Sequence, residues 1–265
     1  MRKIIDFHTH PFSENTCNIC TNTAYCNMSK ENTEKDLRSL GITHIMGSVL
    51  NGRTPVPDME HIKALNDEAL RLRDFYKGFY IPGIHIHPAF VSESIAEIKR
   101  MKREGIVLIG ELVPYFHGWK GYSSDTLSEI LSVAEEQKMI VSFHGPSTYD
   151  EESAKDIDLM IERHPNLTFV GAHVGTSKVL QSHIDRLKKY KNYMVDLSGD
   201  GIYRHGVLRH LIDECGYDRI LFGSDYPVCN PASYIGAVEF DFLITEKEKD
   251  AIFFDNTARL FGIKE

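Results

Sequence analysis

Short apolar runs alternate along this chain with longer stretches whose apolar positions recur every three to four residues. The short runs read as buried strands and the longer ones as amphipathic helices. Strands are expected over 4–10, 43–50, 79–87, 106–112, 139–144, 167–173, 193–197 and 219–224. Helices are expected between them. One covers 32–40 and stops at Gly41. One is capped by Asp58 and ends before Gly78. A third carries the Ser94–Glu97 capping-box pattern and stops at Gly105. Further helices start at Ser124 or Asp125 and cover 151–163, 178–189 and 203–215. After a longer connection, Thr245 and Glu248 box a last helix running to about Phe261. Eight strand–helix alternations of this size predict an α/β fold closed into a (β/α)8 TIM barrel, a single domain over 1–265. A doubly wound open sheet is the alternative, but its glycine-rich dinucleotide fingerprint is missing.

Composition narrows the class. The 265 residues are 42% hydrophobic and 26% charged, enough for a full-sized core. A net charge of −8 and no dominant basic stripe argue against nucleic-acid binding. No apolar run is long enough to cross a bilayer, and the first strand starts too early for a signal peptide. The expectation is a cytoplasmic protein acting on a small molecule, with homo-oligomerisation left open.

The chemistry sits at the strand ends. Residues i and i+2 of a strand point the same way, so His8 and His10 project together from strand one. His-x-His alone is a weak signal, and two surface histidines would give the same pattern. Later strands add Glu111, His144, His173 and Asp225 at the same end. Imidazole and carboxylate together suit zinc, and also manganese or iron. Any one of the six could be a structural hydrogen-bonding residue, but all six falling at one end by chance is improbable.

As an ordered set, His8-Thr-His10, His144, Ala-His173-Val-Gly, Gly-Ser-Asp225-Tyr-Pro and Asn256-Thr-Ala-Arg-Leu-Phe-Gly resemble the amidohydrolase superfamily. The branch they resemble is the amidohydrolase-2 group related to aminocarboxymuconate-semialdehyde decarboxylase. That resemblance implies that His8, His10, His144 and Asp225 bind metal, and that His173 binds a second metal or acts as acid and electrophile. Glu111 departs from that branch and is similar to the strand-four carboxylate of TatD-like members, which bridges two metals. The alternative is that Glu111 only hydrogen-bonds a ligand histidine.

Other residues are candidates for substrate contact. They are His87 after strand three, Tyr115, His117 and Trp119 after strand four, and Arg53 and Arg204, placed where a substrate carboxylate could be held. Each has an ordinary packing or surface-charge explanation. His85 is read like His87, and His44 lies at the opposite, stability end of its strand. Cys17, Cys20, Cys26 and Cys229 lie at the mouth end. Reduced thiols are the favoured reading, with a four-cysteine structural zinc left open.

The function expected is a metal-dependent hydrolase of an amide, lactone or other ester, with Asp225 as general base and His173 or a second metal as electrophile. Two alternatives stand beside it. One is a metal-dependent non-oxidative decarboxylase, and the other a non-catalytic metal-binding protein.

Overall fold

The structure, a computed structural model, describes residues 2–13 and 28–264. Cys17, Cys20 and Cys26 therefore lie outside the described residues. Eight parallel strands form one sheet in the order β1 to β8. They are β1 Ile4–Asp6, β2 Ile42–Ser48, β3 Tyr80–Ile84, β4 Leu108–Leu112, β5 Ile140–His144, β6 Thr168–Ala172, β7 Tyr193–Asp196 and β8 Ile220–Leu221. The outer helices are α1 Lys30–Ser39, α2 Met59–Tyr76, α3 Val91–Arg103, α4 Asp125–Glu136, α5 Glu151–Arg163, α6 Lys178–Lys189 and α7 Val207–Cys215. After β8 come α8 Pro231–Glu239, α9 Glu246–Asp250, a π-helical turn Ala251–Asp255 and α10 Asn256–Phe261. Among the described residues, no helix is long and apolar enough to cross a membrane.

The helices form where the sequence pattern places them. In α4, Leu127, Ile130, Leu131 and Ala134 are buried on one face, and the Ser124 hydroxyl accepts from the Leu127 N–H. Such a cap contributes about 1 kcal/mol. Thr245 and Glu248 form the expected capping box of α9.

The sheet closes on itself where β1 meets β8. The Phe7 N–H donates to the Phe222 carbonyl at 2.9 Å, and the His10 N–H to the Tyr226 carbonyl at 2.7 Å. Between them the Thr9 N–H turns to the Met46 carbonyl at 2.8 Å. Residues 7–10 stay extended but share their hydrogen bonds between two neighbours. This explains why the regular ladder of the expected first strand ends at Asp6. The buried Asp6 carboxylate reinforces the closure by accepting from the Ser224 N–H (2.9 Å) and hydroxyl (2.5 Å).

Several elements differ from expectation. Helix α3 starts at Val91 without a side-chain cap, so the Ser94–Glu97 box does not form: Ser94 lies inside the helix, and its hydroxyl bonds to the His87 backbone. Strand β3 ends at Ile84, short of His87. Helix α7 begins at Val207, because the left-handed Gly206 breaks the preceding turn. The connection after β8 holds α8, whose Asn230 cap and first-turn Pro231 are ordinary helix-start residues.

The N-terminal end of the barrel is filled. Ile5, Met46, Leu108, Ile140, Val170, Met194 and Leu221 form an interior layer, and Phe254 and Ala258 from the C-terminal segment pack beneath it. The opposite, C-terminal end holds the polar residues.

Candidate metal centre and active-site cavity

Six side chains meet at the C-terminal ends of the strands. His8 Nε2 lies 3.3 Å from His10 Nε2, 3.4 Å from Glu111 Oε2 and 3.7 Å from Asp225 Oδ1. His10 Nε2 lies 3.5 Å from Glu111 Oε2 and 3.4 Å from Asp225 Oδ1. Four ligands at about 2.0–2.1 Å from one tetrahedral cation would be separated by roughly 3.4 Å, so these atoms have the spacing of a coordination shell. A second set adjoins it. Glu111 Oε1, His144 Nδ1 and His173 Nε2 are separated by 3.0, 3.1 and 3.4 Å. Glu111 belongs to both sets and turns one carboxylate oxygen to each.

The imidazoles are held from behind. His8 Nδ1 lies 3.0 Å from Asp196 Oδ2, His10 Nδ1–H donates to the Ser48 carbonyl at 3.0 Å, and His173 Nδ1 meets Ser198 Oγ at 3.0 Å. Each contact leaves Nε2 facing inward, the arrangement by which outer partners orient metal-binding histidines. Backbone geometry aims the side chains further. His173 and Asp225 both have left-handed φ, at 64° and 61°, which is uncommon outside glycine. Gly199 must lack a Cβ, since one would stand 2.2 Å from His173 Nδ1.

The electrostatics fit a site built for cations. Burial works against the charged form of His8, but the Asp196 and Glu111 carboxylates outweigh it and hold the imidazole well above its usual range. Burial likewise opposes the charge on His10, yet hydrogen bonds that it donates to the Asp225 and Glu111 carboxylates push it up to about 9. For Glu111, burial favours the neutral acid, but the charges of His8 and His144 drive it well below the usual carboxylate range. Protons on the imidazoles thus balance the buried carboxylates. A divalent cation fits the same donors and supplies the same balancing charge.

A cavity of about 420 Å³ opens onto His144, His173 and Asp225. Pro146, Tyr203, Val228 and Tyr234 give it apolar walls, Asp200 also lines it, and among the described residues no Arg or Lys does. Cys229 also lines it, with its thiol pushed up by burial.

The structure brings the six strand-end residues together but disperses the other candidates. Tyr115 stands edge-on to His144 with ring centroids 5.4 Å apart, and Arg53 lies over the Tyr115 ring at 5.3 Å. His87, His117 and Trp119 are buried outside the cavity. His87 Nε2–H donates to the His117 carbonyl at 2.8 Å, and its Nδ1 accepts from the Ala89 N–H at 3.1 Å, so both ring nitrogens are used internally. Burial lowers both His87 and His117. Trp119 packs against Tyr122 at 5.7 Å. Arg204 lines a neighbouring depression with Phe240 and Phe242, and Tyr203 borders both it and the cavity. The sequence reading missed Asp196 and Ser198. Their Asp-x-Ser spacing at the end of β7 matches that of His-x-His after β1 and was the available signal.

A parallel (β/α)8 barrel with imidazoles and carboxylates gathered at its strand ends defines the class of barrel enzymes organised around a divalent cation. Within that class the chain belongs to the amidohydrolase family, whose amidohydrolase-2 model matches residues 5–263. A comparison with curated proteins finds no match. Similar solved structures include 2,6-dihydroxybenzoate decarboxylase from Rhizobium, 16% identical, with a TM-score of 0.75 over 99% of each chain. Another is a dihydroxybenzoic acid decarboxylase from a Polaromonas species, with bound manganese and the inhibitor 2-nitroresorcinol. It is 15% identical, with a TM-score of 0.71 over 100% of this chain and 98% of that one. A third is 5-carboxyvanillate decarboxylase from Sphingomonas paucimobilis, 14% identical, with a TM-score of 0.71 over the whole of both chains. At these identities the likeness establishes the shared fold.

Proposed function

We propose that the protein is a divalent-metal-dependent decarboxylase of a small carboxylated molecule. In this reading His8, His10, Glu111 and Asp225 hold one cation. Glu111, His144 and His173 form a second position that opens on the cavity. The observation that carries the reading is the cavity's charge. Among the described residues its lining holds apolar side chains and Asp200 but no Arg or Lys, so a substrate carboxylate would find its counter-charge at the cation positions. The decarboxylases among the similar structures support the same choice, and one holds manganese. Manganese therefore stands beside zinc and iron as the ion.

When bound, the cation supplies Lewis-acid polarisation and orientation of the substrate's carboxylate end. The remaining chemistry belongs to side chains. Loss of CO2 breaks one C–C bond and leaves its electron pair on carbon, which must take up a proton. Asp225, at the cavity wall, is placed to pass that proton to the carbon and to collect another from solvent. His173, held through Nδ1 by Ser198, keeps Nε2 toward the reacting end. Tyr115, beside His144, borders the substrate's approach.

Hydrolysis of an amide, lactone or other ester is the second reading. The observation favouring it is Glu111, whose two oxygens face separate imidazole sets, a layout suited to activating water between paired ions. Asp225 would then take the water's proton and return it to the leaving group.

One screen separates the two. Aromatic carboxylates, lactones, amides and phosphoesters are incubated with manganese- or zinc-loaded protein in 18O-labelled water. Decarboxylation releases one CO2 per substrate consumed and leaves 18O out of the organic product. Label in the product without CO2 would overturn the decarboxylase reading in favour of hydrolysis.

A further inference from the structure

Behind the two histidine sets lies a group of residues that neither ligates nor lines the cavity. Asp196 ends β7 and is fully buried. Its Oδ2 lies 3.0 Å from His8 Nδ1. Its Oδ1 accepts from the Ser198 N–H at 2.9 Å and from the Ser198 hydroxyl. Ser198, itself fully buried, sits between the two imidazoles: its Oγ is 2.9 Å from His8 Nδ1 and 3.0 Å from His173 Nδ1.

Hydrogen-bond counting fixes the directions. A carboxylate only accepts, so His8 Nδ1 carries a proton and donates to Asp196. The Ser198 hydroxyl has one proton, already given to Asp196, so toward His173 its oxygen must accept. His173 Nδ1 therefore also carries a proton. In the neutral ring that a cation requires, Nε2 is then the unprotonated nitrogen, and it faces Glu111 in each case. His8 is set by Asp196 directly, whereas His173 is set at one remove, through Ser198.

Resting on the reading of this cluster as two cation positions, the geometry points to Ser198 as a positioning residue. It relays the orientation imposed by Asp196 to His173, so one buried carboxylate serves both positions. His8 keeps its direct anchor without the relay, so loss of the hydroxyl falls on the His173 position. Loss of the carboxylate falls on both.

The test is a Mn2+ titration of the chelator-treated full chain, following free ion by electron paramagnetic resonance, for wild type, Ser198→Ala and Asp196→Asn. The alanine occupies no more space than serine, and melting of the ion-free proteins selects a temperature at which all three are folded. The His173 position has three of the chain's donors against four at the other, so its ion leaves first. Ser198→Ala is expected to weaken that ion by about 10- to 100-fold, the range for outer partners of metal ligands, with the tighter ion within about threefold of wild type. Asp196→Asn is expected to weaken both. An unchanged first-leaving ion in Ser198→Ala, or equal weakening of both ions in that variant, overturns the relay. A wild type that takes up one ion removes the two-position reading instead. The relay then stands only if Ser198→Ala weakens that single ion, and falls if it does not.

Discussion

The backbone N–H of Asp225 donates to the carbonyl of His8 at 2.8 Å, joining the last strand end of the barrel to the first. The proposed base and the first proposed ligand are thus fastened through the main chain. The site is complete only once β8 has docked on β1, and the docking surface is tight. A Cβ on Gly223 would stand 2.8 Å from His8 Cβ and 3.2 Å from Asp196 Oδ1.

Gly223→Ala is therefore expected to push His8 off its position. Overpacking of this kind costs about 1–3 kcal/mol, which the barrel can absorb. Metal content by elemental analysis should fall while the far-ultraviolet circular dichroism stays native. A variant with full metal content would mean that the seam has more room than the structure gives it.

Asp225→Asn separates chemistry from assembly. The amide keeps shape and a weak ligand oxygen but cannot carry the proton, so kcat should fall by about 10²–10⁴ with most of the metal retained. His8→Ala deletes an imidazole and should lose metal and activity together. Near-normal kcat in a metal-replete Asp225→Asn protein would remove Asp225 from the proton path.

Metal uptake should depend on pH with a defined sign. A cation needs the neutral imidazole, and His10 keeps its proton up to about 9 in the ion-free protein. Binding at neutral pH must release protons, and affinity should climb as pH rises toward 9. The ordinary imidazole value is 6.5. The proton on His10 therefore stabilises the ion-free fold fully below that pH, and this contribution is lost as pH rises through about 9. Calorimetric titration in buffers of different ionisation enthalpy counts the protons. Uptake without proton release would contradict the charge state assigned to His10.

Arg204 tests the outer boundary of the site. It lines a neighbouring depression with Phe240 and Phe242, divided from the cavity by Tyr203, which lines both. Arg204→Ala should leave KM unchanged, as expected of a surface residue away from the site. A large rise in KM would place Arg204 on the substrate after all.

The strand ends were legible because each carries a residue type with few structural reasons to be there. His8, His10, Glu111, His144, His173 and Asp225 fall where parallel strands run out, and alternation alone assigns them to one end. Of the third-strand and fourth-loop candidates, Tyr115 lies beside His144, while His87, His117 and Trp119 lie outside the cavity for a physical reason. His87 and His117 occupy the same stretch of chain as a substrate contact would, but both are buried outside the cavity, and His87 spends its ring nitrogens on the backbone; neither is visible in a linear pattern. Asp196 and Ser198 were missed because an aspartate at a strand end reads as an ordinary terminus until the residue across the barrel is known. Helix α8 was hidden by its modest amphipathicity, although its Asn-Pro start was readable.

The layer of Ile5, Met46, Leu108, Ile140, Val170, Met194 and Leu221, backed by Phe254 and Ala258, stoppers the barrel beneath the metal centre. The cavity above it is a cul-de-sac, and whatever enters must back out by the same door. A reaction that makes two molecules from one then empties the room in sequence. The small gas slips past first, and the bulkier remnant still occupies the seat the next substrate needs. On the decarboxylase reading, the decarboxylated product should therefore compete directly with substrate for the same seat.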